Sequence, residues 1–268
     1  GKRSLVNMRN KAIPTIAWFI PLAPLALATA IYFGELQSSS FLYINSLTQN
    51  LPDMVWAALT FLGNGWGIFA LAFPLLLLAP RVLTAGIFAG VIAAIASGTL
   101  KPLFNLPRPA SVLTEGTFYR LGEPLLHKSL PSGHTITAFA IASALYFSCD
   151  PSKRKPLLGL FILAGLVGLS RSAVGAHWLT DVFAGAGVGM WCGMLGALLA
   201  SYFPESQLGP KKAWSHLIAL AGVAAIYAHF TQIMDLKLNL PLQYASIAVL
   251  LITLIFYVKA QFVNASNQ

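Results

Sequence analysis

The stretch Ser170–Asp181, SRSAVGAHWLTD, places an arginine, a histidine and an aspartate within twelve residues, at the point where an apolar run ends. Only 9% of the chain is charged. Ionisable groups at the edge of a greasy segment are costly unless they are paired or functional. Two earlier stretches share this character, KPLFNLPRP (Lys101–Pro109) and PSGH (Pro131–His134). The three read as parts of one site.

Composition sets the class. The chain has 268 residues, 57% of them hydrophobic, with a mean hydropathy of +0.72. That is the profile of an integral membrane protein, since soluble domains carry charge at roughly 25% of positions. The fold class expected is all-α, a polytopic membrane helical bundle. The net charge of +9 comes from 17 basic and 8 acidic residues scattered between apolar runs. It reads as loop charge on the cytoplasmic side, and no basic stripe points to nucleic acid. Cys149 and Cys192 form no CxxC or zinc spacing and are expected to be free thiols in apolar segments. The basic start GKRSLVNMRNK resembles a signal-peptide n-region, but the apolar run after it is about 20 residues long without a small-residue cleavage pattern, so a retained first span is expected.

Eight apolar runs approach the roughly 20 residues that a spanning helix needs. They are approximately Ile13–Phe33, Met54–Ala79 (with Pro74 a kink point), Val82–Leu100, Gly133–Cys149, Pro156–Val174, His177–Phe203, Ala213–Met234 and Pro241–Phe262. Phe41–Leu51 has the apolar spacing of a short interfacial helix, with an ordinary loop as the alternative. Lys2, Arg3, Arg9, Lys11, Arg81, Lys153, Arg154, Lys155, Lys211, Lys212 and Lys259 fall on one side of these runs, which the positive-inside rule assigns to the cytoplasm together with both termini. The three polar stretches then share the opposite, outer face.

Each stretch suggests chemistry. If a helix opens near Ala176, His177 and Asp181 lie at i and i+4 on one face. The carboxylate then orients the imidazole and leaves its other nitrogen free as nucleophile or base. Arg171 lies across the turn and offers a guanidinium fork suited to phosphate. The bland reading is an Arg–Asp tether between helix ends. In KPLFNLPRP, three prolines stiffen a segment that holds Lys101 and Arg108; snorkelling to lipid headgroups is the competing role. In PSGH, a helix opening near Ser132 presents free N–H groups to an anion, Gly133 permits close approach, and His134 is placed as a general acid. Together these make a phosphate-transfer constellation without a metal: the cations would repel a divalent ion, and no further acidic residue converges. His127 and Lys128 read as loop residues, His216 and His229 as packing or interfacial residues, and Trp178 as an interfacial anchor.

In this order, K-x6-R-P (Lys101, Arg108, Pro109), P-S-G-H (Pro131–His134) and S-R-x5-H-x3-D (Ser170, Arg171, His177, Asp181) resemble, without a substitution, the signature of the type 2 phosphatidic acid phosphatase (PAP2) superfamily, which includes bacterial lipid phosphatases. The resemblance covers roughly residues 50–205. It implies a six-helix membrane core with its site at the outer leaflet, taken as residues 1–205, with residues 206–268 as an additional transmembrane pair of no assigned role. It also implies that His177 is the nucleophile, passing through a phosphohistidine, with Asp181 orienting it and His134 as acid and then base. Lys101, Arg108, Arg171, Ser132 and Gly133 would bind the phosphoryl oxygens.

The function expected is a metal- and cofactor-independent phosphatase of a membrane lipid phosphate or diphosphate in the bacterial inner membrane. The reading leans to undecaprenyl diphosphate and keeps phosphatidylglycerol phosphate, phosphatidate and lipid A phosphates open. The alternatives are a phosphotransferase with a polyprenyl diphosphate donor and a non-enzymatic anion transporter. Asp181 raises the basicity of His177 while the nearby cations lower it on both rings, and a bell-shaped pH–rate profile is expected. Loop 110–130 is expected to gate the headgroup.

Overall fold

A computed structural model describes residues 13–263. The basic N-terminal residues Lys2 to Lys11, and both termini whose side of the membrane was inferred, lie outside that range. The described residues form helices and no strand. Six segments are long and apolar enough to cross a bilayer: Thr15–Phe33, Pro80–Val112, Lys155–Ala173, Leu179–Ser201, Ala213–Thr231 and Lys237–Gln261. The helices are α1 (Leu22–Phe33), α2 (Gln37–Thr48), α3 (Asp53–Phe61), α4 (Gly65–Ala72), α5 (Leu75–Leu78), α6 (Pro80–Phe104), α7 (Pro109–Val112), α8 (Gly133–Ser148), α9 (Gly159–Ala173), α10 (Leu179–Ser201), α11 (Ala213–Thr231) and α12 (Leu240–Gln261).

The fourth and second of the eight expected spans differ most from the sequence reading. The fourth, α8, has 16 residues and sits in the middle of the bundle. The second is broken, because α3 and α4 meet at 74°. The main break falls at Gly63–Asn64 and not at Pro74. A Cβ on Gly63 would come within 2.9 Å of His134 and 2.8 Å of Val167, so the chain passes against α8 and α9 where only glycine fits. Asn64 then restarts the helix, its Oδ1 accepting from the N–H groups of Trp66 and Gly67 at 3.0 and 3.2 Å. The third span also outruns its proline: α6 continues through Pro102, whose missing N–H costs little in the last turn, and ends at Asn105 in a left-handed conformation (φ 45°).

Residues 37–48 are helical, but α2 is more than an interfacial helix. Its Asn45 is buried, donates to the carbonyls of Tyr119 and Ser172 at 2.8 and 3.0 Å, and accepts from the Tyr119 N–H at 2.8 Å. The helix therefore ties the long loop after α7 to the end of α9.

The core is α10 against α8 and α6, joined by small residues. Gly185, Gly189, Gly193 and Gly196 lie along α10, and Ala85, Ala89, Ala140 and Ala144 face it from α6 and α8. A Cβ on Gly189 would lie 2.5 Å from the Ile136 carbonyl oxygen, and one on Gly196 would lie 2.6 Å from the Ala89 nitrogen. In lipid, association depends on such close backbone approach, because burying apolar surface gives no gain over the acyl chains. The helices alternate in direction. The C-terminal ends of α6, α9 and α11 and the N-terminal ends of α8, α10 and α12 therefore share one end of the bundle, and Arg81, Lys153–Lys155, Lys211 and Lys212 share the other.

Gly189→Val should force α8 and α10 apart and cost about 2 kcal/mol or more, as overpacking of a tight core does. The midpoint of thermal unfolding in detergent should fall, whereas Gly165→Val, where nothing lies within 4 Å, should leave it unchanged.

Candidate active site

The carboxylate of Asp181 is 2% exposed. Its Oδ2 accepts from the Trp178 N–H (3.0 Å), from the Ser129 hydroxyl and from His177 Nδ1 (3.1 Å). The Asp181 backbone carbonyl accepts from the Ser132 N–H at 3.0 Å. One residue thus gathers the loop before α8, the first turn of α8 and the start of α10. These bonds shift the helix start from the expected one. α10 begins at Leu179, with Trp178 as N-cap and Asp181 in the first turn. His177 therefore sits in the turn ahead of the helix, where its N–H and that of Ala176 bond the Arg171 carbonyl at 3.2 and 2.9 Å. Gly175 (φ 80°) makes that turn possible.

Because Asp181 fixes Nδ1 of His177 as a donor, Nε2 carries the lone pair and faces Arg108 Nη1 at 3.1 Å. The ring is buried. Burial, followed by the charges of Arg108, Arg171 and Lys101, holds His177 well below the usual imidazole value of 6.5. The opposing influences of Asp181 and the cations therefore resolve in favour of the neutral ring.

The expected cations surround it. Lys101 Nζ donates to the carbonyls of Pro131 (2.7 Å) and Lys128 (3.1 Å). Arg108 Nε donates to the His127 carbonyl at 2.8 Å. His127 and Lys128 contribute backbone oxygens, not side chains. Arg171 is 5% exposed, and no group of the protein accepts from its Nε. An unsatisfied buried guanidinium N–H suits an arriving anion. Ser132 caps α8 through its Oγ, which accepts from the Thr135 N–H and hydroxyl at 3.3 and 2.8 Å. Gly133 faces Ser97 and Lys101. Trp178 is no interfacial anchor: it is 2% exposed, packs edge-on against Phe41, and donates to the Pro107 carbonyl at 2.9 Å. His229 is buried, and His216 bonds the Tyr257 hydroxyl.

One residue beside the site escaped the sequence reading. Asp235, in the loop between α11 and α12, places Oδ2 2.9 Å from His134 Nε2. The contact is short but lies off the ring N–H axis, so it is ionic more than a well-aligned hydrogen bond. An outward-facing loop charge was the only signal in the sequence. Next to His134, an apolar cavity of about 970 Å³ runs between α4, α6, α8 and α11. It reaches from Ser97 and Gly133 at the site to Leu83, Leu145 and Trp214. Along α6 that interval is about 20 Å at 1.5 Å per residue. Among the described residues, no three His, Cys, Asp or Glu side chains are grouped as metal ligands.

Comparison with known proteins agrees with the motifs. The PAP2 superfamily profile matches residues 81–205. The crystal structure of Aquifex aeolicus LpxE is 32% identical, with a TM-score of 0.52, and the match covers 60% of this chain and 94% of that one. The crystal structure of a transmembrane PAP2-type phosphatidylglycerolphosphate phosphatase from Bacillus subtilis is 19% identical, with a TM-score of 0.49, covering 71% and 97% of the two chains. A lipid A 1-phosphatase of Porphyromonas gingivalis is 41% identical over 70 residues, which are 25% of this chain and 15% of that protein's length. The chain belongs to the PAP2 superfamily and is an integral membrane protein of that fold.

In 15N-histidine NMR spectra, His177 should remain neutral as the pH falls through 6.5 and charge only well below it. The unfolded ring takes up its proton near 6.5 and the folded ring resists it, so this group should make the fold less stable as the pH falls below that value.

Proposed function

We propose that this protein is a lipid phosphatase that removes phosphate from a membrane lipid headgroup by way of a phosphohistidine. The observation that carries the reading is the buried, Asp181-oriented His177, whose Nε2 faces Arg108 beside an apolar cavity long enough for a lipid chain. The phosphoryl oxygens sit among Lys101, Arg108 and Arg171, with the Ser132–Gly133 turn and its N–H groups at the start of α8. Nε2 of His177 attacks phosphorus, and the bond to the leaving oxygen breaks. His134 gives that oxygen its proton. Water then attacks phosphorus and yields a proton to His134. The P–N bond breaks, releasing inorganic phosphate and neutral His177. Asp181 stabilises the charge that His177 carries in between. The protein's own cations supply the charge stabilisation in this reading.

The loop charges support a site at the outer face of the bacterial inner membrane with both termini in the cytoplasm. The substrate is a lipid monophosphate or diphosphate. Undecaprenyl diphosphate is the candidate taken from the sequence, and the lipid A 1-phosphatase relative adds lipid A 1-phosphate as its rival.

Detergent-purified protein should release phosphate from at least one of undecaprenyl diphosphate, lipid A, phosphatidylglycerol phosphate and phosphatidate, with EDTA having no effect. His177→Ala should lower the rate by about a thousandfold or more, as loss of a catalytic nucleophile does. Parental rates in His177→Ala would sink the mechanism, and phosphate appearing on an acceptor lipid instead of in solution would make the protein a transferase.

A further inference from the structure

Asp235 lies outside the stretch 81–205 that the family profile matches. It belongs to the loop of the α11–α12 hairpin. The hairpin loop is built to hold this one side chain. Gln243 on α12 pins the loop from within: its Nε2 donates to the carbonyls of His229 and Gln232 at 2.9 and 2.7 Å, and its Oε1 accepts from the Met234 N–H at 3.0 Å. The neighbours of Asp235 are both buried. Met234 packs with Phe61, and Leu236 packs with Trp56, Ala173 and Val174 beneath the end of α9. Asp235 itself is left-handed (φ 69°), a conformation that aspartate tolerates better than most residues. It therefore points away from its two anchored neighbours and toward the site.

There the carboxylate meets two partners. Oδ2 lies 2.9 Å from His134 Nε2 and accepts from Asn64 Nδ2 at 3.1 Å. Asn64 is the same residue that caps α4 after the break, so the broken helix serves to bring an amide to Asp235. The charge of Arg171 acts on both Asp235 and His134. Burial works to raise the Asp235 carboxyl, but His134, Arg171 and the Asn64 amide outweigh it and hold the group at about 2, so it is ionised.

We infer that Asp235 is a positioning residue for His134, a second carboxylate–imidazole pair supplied by the C-terminal hairpin that keeps the proton on the general acid. The inference rests on the reading of His134 as that acid and extends it. His177 is paired with Asp181 through Nδ1, and burial and the nearby cations favour its neutral form. His134 has the opposite requirement, because it must carry a proton when the leaving oxygen departs. Burial opposes protonation of His134 most, and the charges of Arg171 and Lys101 add to it; His177 is the neighbouring ring, and Asp235 is the group that favours the proton. Without Asp235, His134 faces only cations and another imidazole. Each ring therefore has its own carboxylate partner, supplied by a different part of the chain.

The test compares the full-length parent with Asp235→Asn and Asp235→Glu in detergent, by two readouts. The first is the 15N NMR titration of His134, assigned by the peak lost in His134→Gln. The second is kcat/KM against pH for phosphate release from the best lipid of the panel, with the same lipid throughout so that substrate ionisation cancels. Asp235→Asn should lower the His134 midpoint by about one unit or more, as loss of a neighbouring opposite charge does. The descending limb of kcat/KM should move to lower pH by the same amount, which is about a tenfold loss above the limb. Asp235→Glu, which keeps the charge, should hold most of both, and should do so even if the asparagine variant fails to fold.

An unchanged His134 midpoint in Asp235→Asn would overturn the inference while leaving phosphate release intact. A rise in kcat/KM would also overturn it, because Asp235 would then be competing with the substrate for Arg171. A glutamate variant that shifts as far as the asparagine variant would do the same. A moved midpoint in a protein whose parent releases no phosphate from any lipid would instead overturn the general-acid reading on which the inference stands.

Discussion

A carboxylate that is 2% exposed near the edge of a membrane must be satisfied completely, and the rest of the site follows from how Asp181 is satisfied. Its Oδ2 accepts hydrogen bonds from a backbone amide, a serine hydroxyl and an imidazole. An uncompensated buried charge would cost several kcal/mol, so these three donors are not interchangeable decoration. Meeting the Trp178 N–H fixes where α10 begins. Meeting Ser129 pulls in the loop ahead of α8. Meeting His177 sets the tautomer and so turns Nε2 toward Arg108.

The glycine stripe on α10 makes that geometry possible. The start of α10 and the start of α8 must be close enough for the Asp181 carbonyl to accept from Ser132. Gly185 sits where any Cβ would come within 2.9 Å of the Ser132 carbonyl oxygen. Close packing of small residues, the association that lipid allows, is thus also what brings PSGH to SRSAVGAHWLTD. The broken second span has the same logic. Gly63 passes against His134, and Asn64 restarts the helix while reaching toward the hairpin loop. The cost of interrupting a span is met by side-chain capping next to a cavity, where a broken helix is tolerated.

The site therefore draws on more of the chain than its motifs cover. α2, read as an interfacial helix or a loop, clamps the long loop through Asn45. His127 and Lys128 serve through their carbonyls. Trp178, read as a headgroup anchor, is a core residue that ties the start of α10 to Pro107. Residue type says what a side chain tends to do, and these roles depend on where the backbone runs.

The sequence by itself determined the class of the fold, the approximate spans and the set of eight candidate residues. Apolar runs of membrane length and polar residues confined to their ends are local, one-dimensional facts. It also determined that Lys101, Arg108, His134, Arg171, His177 and Asp181 belong to one end of the bundle, because alternating spans leave no other arrangement. Only the tertiary structure decided that His177 lies ahead of its helix and not on it, that the second span breaks at Gly63, and that Asp235 sits beside His134. Asp235 is 101 positions from His134, and no periodicity links them. Their meeting depends on where the α11–α12 hairpin packs, which is decided by shape across helices and not by the order of residues within one.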